Sequence, residues 1–149
     1  HTNDAPSAVT RLLDIGVKPF LVASALRAAM AQRLFRAICE NCKTSYTPTD
    51  RELKMLGAMS KTIPERMYHG AGCDKCGRSG YKGRKGIFEI FKVDDTIQRL
   101  IFDHAPATLL RQRAREMGMR TLREDGMLKV ASGMTSLQEV LRVTMGDAD

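Results

Sequence analysis

All four cysteines of this chain fall in two pairs of one spacing, Cys39-Glu40-Asn41-Cys42 and Cys73-Asp74-Lys75-Cys76, with thirty residues between the pairs. Two residues between cysteines let both thiolates of a pair turn toward one ion. Two such pairs supply the four sulfurs of a closed tetrahedral site. Gly77 follows the second pair, where a tight knuckle needs a residue that tolerates positive φ. A closed sulfur set leaves no open position for water or substrate, so the site reads as structural, with Zn the metal that suits it. An iron held by the same soft ligands is the alternative ion. Two short disulfides would need an oxidising compartment. A thioredoxin-like redox pair would explain one C-x-x-C but not two. The long gap implies that the intervening segment carries structure of its own.

The chain has 149 residues, enough for one domain or two small ones, and its net charge is +7. That sign favours an acidic partner such as nucleic acid or a phospholipid surface. Lys43, Lys75, Arg78, Lys82, Arg84 and Lys85 lie near the cysteines in sequence, so part of the charge can offset bound thiolates. No apolar run reaches the roughly 20 residues of a membrane span. Signal-peptide features and an initiator Met are both lacking, and the chain reads as a piece of a longer protein.

Residues 2–15 read as a helix, with cap oxygens at Thr2, Asn3 and Asp4 and Gly16 at its end. A second helix is expected from Pro19 through Ala31, apolar nearly all round and so buried. Leu34–Ile38 reads as a strand leading into Cys39. Thr49-Asp50-Arg51-Glu52 is a capping box opening a short helix. Met67–His69 reads as a short strand. Gly77, Gly80, Gly83 and Gly86 recur every third residue and read as turns that bring Ile87–Val93 back as a strand. No G-x-x-x-x-G-K-[ST] phosphate loop occurs. The rest is helical: a helix capped by Asp94 or Asp95 through Phe102, one opened by Pro106, and two more from the capping boxes Thr121–Glu124 and Ser136–Glu139.

Several segments resemble the traffic ATPases of type II secretion and type IV pilus assembly. His1-Thr2-Asn3-Asp4-Ala5 with Ala8-Val9-Thr10-Arg11-Leu12 is similar to the end of their histidine box. Ala31-Gln32-Arg33-Leu34-Phe35-Arg36 before Cys39 is similar to their next segment. So are Gly80–Glu89, the Asp125-Gly126 pair, and Thr135-Ser136-Leu137-Gln138-Glu139-Val140. The resemblance covers essentially the whole chain. It implies a hexameric cytoplasmic motor, peripheral to the bacterial inner membrane. That motor turns ATP hydrolysis into extrusion of a pilus or pseudopilus through an inner-membrane platform protein. The tetracysteine segment would be its C-terminal metal-binding subdomain. The phosphate-binding loop and the acidic Mg²⁺ segment of the family are not among these residues, so ATP and Mg²⁺ belong to the intact parent and this chain alone is expected not to hydrolyse ATP.

The fold class expected is α+β, mostly helical. Residues 1–38 are read as a two-helix remnant of a RecA-like ATPase core. Residues 39–93 form a tetracysteine insert with short strands, and residues 94–149 a C-terminal helical subdomain. The expected ligands of a structural Zn are Cys39, Cys42, Cys73 and Cys76. His1 and Arg33 are nucleotide-proximal by resemblance. The plain alternatives are an unattached chain end for His1 and a solvated strand edge for Arg33 and Arg36. His69 is a weaker substitute ligand, and His104 a helix-end residue. Arg111, Arg113 and Arg115 read as an exposed helix face. The expected partners are the upstream ATPase domain, neighbouring subunits of a homo-hexamer and the platform protein. The rival function is a zinc-ribbon nucleic-acid-binding module. It shares the basic charge and the paired cysteines but lacks aromatics to stack on bases, with no Trp and only 5% aromatic residues. No nucleic acid is therefore expected. A redox enzyme is the third reading.

Overall fold

Asp4 sets the first helix: its Oδ1 accepts from the Ser7 N–H at 2.9 Å, and α1 runs Ser7–Asp14. The computed structural model describes residues 4–62 and 64–146. Thr2 and Asn3, expected to share in the cap, lie outside the described residues. After α1 come α2 (Pro19–Ala25), β1 (Ala28–Ile38), β2 (Lys43–Tyr46), α3 (Asp50–Leu56), β3 (Met67–Gly70) and β4 (Tyr81–Lys92). Four helices follow: α4 (Asp95–Phe102), α5 (Ala107–Glu116), α6 (Leu122–Ala131) and α7 (Leu137–Val143). Two 3-10 stretches, Gly57–Thr62 and Asp74–Cys76, complete the order. The class is α+β with helix outweighing strand. None of the described helices is long and apolar enough to cross a membrane.

The helix expected from Pro19 to Ala31 is corrected. It stops at Ala25, and Leu26 is extended (φ −72°, ψ 124°). From Ala28 the side chains alternate between the open face and the packed face of a strand. Alanine-rich sequence favours helix locally, but pairing with β4 overrides that preference. Hydrogen bonds from the Val93 N–H to Arg27 O (3.0 Å) and from the Cys39 N–H to Gly80 O (3.0 Å) mark the two ends of this antiparallel pair. The second correction concerns the glycine repeat. Gly83 and Gly86 lie inside β4 rather than in turns, Gly83 with φ +82°. β2 was not expected. It pairs antiparallel with β3, Lys43 opposite Gly70 and Tyr46 opposite Met67.

The capping signals are realised unevenly. Thr49 and Glu52 make the full reciprocal box: the Glu52 N–H donates to Thr49 Oγ1 and the Thr49 N–H to Glu52 Oε2. Ser136 Oγ accepts from the Glu139 N–H, but the Glu139 carboxylate is used elsewhere. Asp94 caps α4 through the Ile97 N–H at 2.8 Å.

The chain divides into two units. The first comprises residues 1–32, 88–122 and 146–149, and the second residues 33–87 and 123–145. Val9, Val22, Phe91, Ile97, Ile101 and Leu110 centre the core of the first. Arg111 and Arg113, expected on a solvated face, instead hold this unit together. The Arg111 guanidinium pairs with Asp4, and Arg113 with Asp94 at 2.7 Å. Buried Glu89 accepts the Ala5 N–H at 2.7 Å. Leu56, Met67, Met127, Val130, Leu137 and Val140 centre the core of the second unit. The net charge is divided just as sharply. The first unit has nine Lys and Arg against nine Asp and Glu, and the second has fifteen against eight.

Candidate metal centre

Cys39 directly follows β1, and Cys42 directly precedes β2. A hydrogen bond from the Cys42 N–H to Cys39 O (3.1 Å) folds the first pair into a knuckle. Cys73 and Cys76 bracket the 3-10 turn, with the Cys76 N–H on Cys73 O at 3.2 Å. Gly77 then takes the left-handed conformation expected of it (φ 58°, ψ 37°). A close approach of two glycines brings the knuckles together. A Cβ on Gly70 would stand 2.0 Å from Gly80 O, and one on Gly80 would stand 2.5 Å from Gly70 O. No side chain fits at either position.

The result is a cluster in which one sulfur from each of Cys39, Cys42, Cys73 and Cys76 lies within 4.8 Å of all the others. Measured separations are 3.9 Å for Cys39–Cys73, 3.9 Å for Cys42–Cys76 and 3.7 Å for Cys73–Cys76. A tetrahedron with Zn–S arms of about 2.3 Å has edges of about 3.8 Å. The four sulfurs therefore fit a single tetrahedral ion of that size. All four are free thiols. Cys39 is buried and the other three are half-buried.

The surroundings favour thiolate at Cys73 and Cys76. Cys76 Sγ accepts from the Cys73 and Gly80 N–H groups, each at 3.3 Å. These backbone donors, Cys73 first, draw its pKa down to about 6. For Cys73, burial pushes upward, but the Asn41 side-chain amide at 3.3 Å and the neighbouring donors outweigh it and hold the thiol below its usual range. Burial pushes the Cys42 thiol up to about 12, against the hydrogen bond from the Gly72 N–H. Four thiolates so close repel one another unless a cation lies among them, so this donor set suits a soft divalent ion. The nearby cations pair with carboxylates instead: Arg78 with Asp74 at 2.8 Å and Lys43 with Glu40 at 3.6 Å. The Gly72 and Gly80 amides escaped the sequence reading because backbone donors carry no residue signature, and the Asn41 side-chain amide because it stands as a spacer within its C-x-x-C and bonds a sulfur of the other pair.

Among the described residues, the others singled out in the sequence are not part of this cluster. His69 stacks edge-on against Tyr46 with centroids 5.3 Å apart. His104 follows α4 with φ 56° and bonds back to Ile101 O. Arg33 Nη1 donates to Val143 O at 2.6 Å. Arg36 pairs with Glu139 at 2.7 Å and lies over the Tyr81 ring, 4.3 Å from its centroid. Arg142 holds the other Glu139 oxygen at 2.7 Å. Burial would raise the Glu139 pKa, but the two guanidinium groups hold it down at about 2. His1 lies outside the described residues.

The model of the type II/IV secretion system protein family matches residues 1–142. The type IV pilus assembly ATPase PilB of Thermus thermophilus is 46% identical over 97% of this chain and 16% of its own length. The type II secretion system ATPase E of Vibrio cholerae is 44% identical over 97% of this chain and 28% of its own. The type II secretion system protein HxcR of Pseudomonas aeruginosa is 44% identical over 97% of this chain and 27% of its own. The chain thus spans between 16 and 28% of the length of these relatives.

Proposed function

This chain belongs to the type II/IV secretion system protein family, and from that premise we propose that it is the C-terminal metal-binding domain of a hexameric traffic ATPase powering type II secretion or type IV pilus assembly. Its role is structural and adhesive. The observation that carries the reading is the single cluster of four sulfurs with tetrahedral spacing. Cys39, Cys42, Cys73 and Cys76 hold a Zn ion. The ion cross-links the end of β1, the start of β2 and the turn before β4, so binding free energy becomes folding free energy for the second unit. No coordination position is left over, and the ion has no part in chemistry on a substrate.

In this reading ATP hydrolysis belongs to the complete motor, whose phosphate-binding loop is not among these residues. His1 and Arg33 lie on the nucleotide side of that motor. The remaining partners are the ATPase domain, neighbouring subunits and the inner-membrane platform protein, on the cytoplasmic face of the membrane.

Elemental analysis of the purified chain tests the metal. About one Zn per chain is expected, falling well below one in Cys73→Ser. Replacement by Co²⁺ should give the intense visible bands of a tetrahedral thiolate site. A metal-free chain whose melting is unchanged by a strong chelator would overturn the reading.

A further inference from the structure

The second unit contains a cleft of about 770 Å³ that the metal reading does not use. Its walls come from β2, α3, β3 and the start of α7, and Ser79 and Tyr81 close the end nearest the knuckles. The size falls in the range of ligand-binding clefts. The apolar side is formed by Leu137, Leu141, Tyr46 and Met55, the last 59% exposed. A methionine left that open on a cleft wall is suited to gripping an apolar side chain of variable shape.

The polar side is asymmetric. Glu52 is the cleft's carboxylate, and both its oxygens are occupied: Oε1 by the Tyr46 hydroxyl at 2.8 Å, Oε2 by the Thr49 N–H and hydroxyl. Arg51, the preceding residue, is exposed and makes no ion pair or hydrogen bond among the described residues. The open charge in the cleft is therefore cationic, in a unit with fifteen cationic against eight acidic side chains.

We infer that this cleft receives a short acidic segment of a protein partner, with one bulky apolar side chain entering between Met55 and Leu141 and a carboxylate reaching Arg51. A second copy of this chain is a poor occupant, because it brings the same excess of positive charge. A nucleic-acid strand is poorer still. It would present a phosphate at every nucleotide to one open guanidinium beside a fixed carboxylate. The inference extends the reading of the chain as part of a secretion machine by naming a surface for a partner, and it can fail independently of the metal.

The test is fluorescence anisotropy of the full chain with a labelled probe peptide in which one Phe sits among Glu and Asp residues. Saturable binding is expected, weakening as salt rises past about 0.15 M. Met55→Glu and Arg51→Glu, both at exposed positions, should each weaken it at least roughly fivefold with melting unchanged. Replacing the probe's Phe by Ser, or its acids by Lys, should abolish binding. No binding up to about 1 mM peptide, or binding indifferent to both substitutions, would overturn the inference. Tighter binding of a single-stranded oligonucleotide, lost in Arg51→Glu, would overturn it in favour of nucleic acid. Metal content is measured on the same sample. Zn without peptide binding removes this inference alone, and binding without Zn removes the metal reading alone.

Discussion

Gly70 and Gly80 show how little room one position can leave. The carbonyl of each stands where the other's Cβ would be. Gly70→Ala must push backbone against backbone and should destabilise the second unit by about 3 kcal/mol, measured by chemical denaturation. Gly83→Ala is the matched control. Nothing lies within 4 Å of its Cβ position and only its φ of +82° is strained, so about 1 kcal/mol is expected. Glu139 makes a second residue-scale case. Its carboxyl is held at about 2 by Arg142 and Arg36, below the value near 4.3 of an unfolded chain. The stability it contributes is complete above the unfolded value and is lost as pH falls toward the folded one. Wild type should therefore lose stability between roughly pH 4 and pH 2 more steeply than Glu139→Gln. The substitution itself should cost about 2 kcal/mol at neutral pH. The four cysteines were legible at this scale because each pair is local. The ties from Arg111 to Asp4 and from Glu139 to Arg36 were not, since their partners are about a hundred positions away.

Element identity turned on competition between local preference and pairing. Residues Ala28 to Ala31 contain three alanines, and periodicity cannot separate a short apolar helix from a covered strand. The alternating exposure of β1 decides it. Ala28 is exposed on the open face. Ala28→Thr should leave stability unchanged or raise it by up to about 1 kcal/mol, whereas a helix there would be weakened. A fall in melting temperature would count against the strand. The capping box of α3 was legible because it is written within four residues. Thr49→Ala, which removes the Thr49 hydroxyl's bonds with Glu52 and leaves the Thr49 N–H on Glu52 Oε2, should cost about 1 kcal/mol, readable in the same denaturation experiment. The glycine repeat before Ile87 misled because glycine marks both turns and strand irregularities. β2 was missed because Lys43–Tyr46 carries no apolar alternation and is defined by its pairing with β3.

For the whole molecule, the two units differ in what should hold them. The first has a continuous apolar core and no cysteine. The second contains all four cysteines. Removing metal with a strong chelator should speed amide hydrogen exchange in residues 33–87 well before residues 95–116. Equal loss in both would contradict the proposed local role of the ion. The division itself was not legible, because each unit is gathered from separated stretches and sequence order does not announce the return.

The chain enters the second unit partway along β1, leaves it partway along β4, and comes back for α6 and α7. No single cut therefore frees either unit whole. A gene fragment that tried to export the cysteine-bearing half as a cassette would sever both long strands and leave its last two helices behind. An engineer transplanting the thiol cluster would have to carry the neutral half as well.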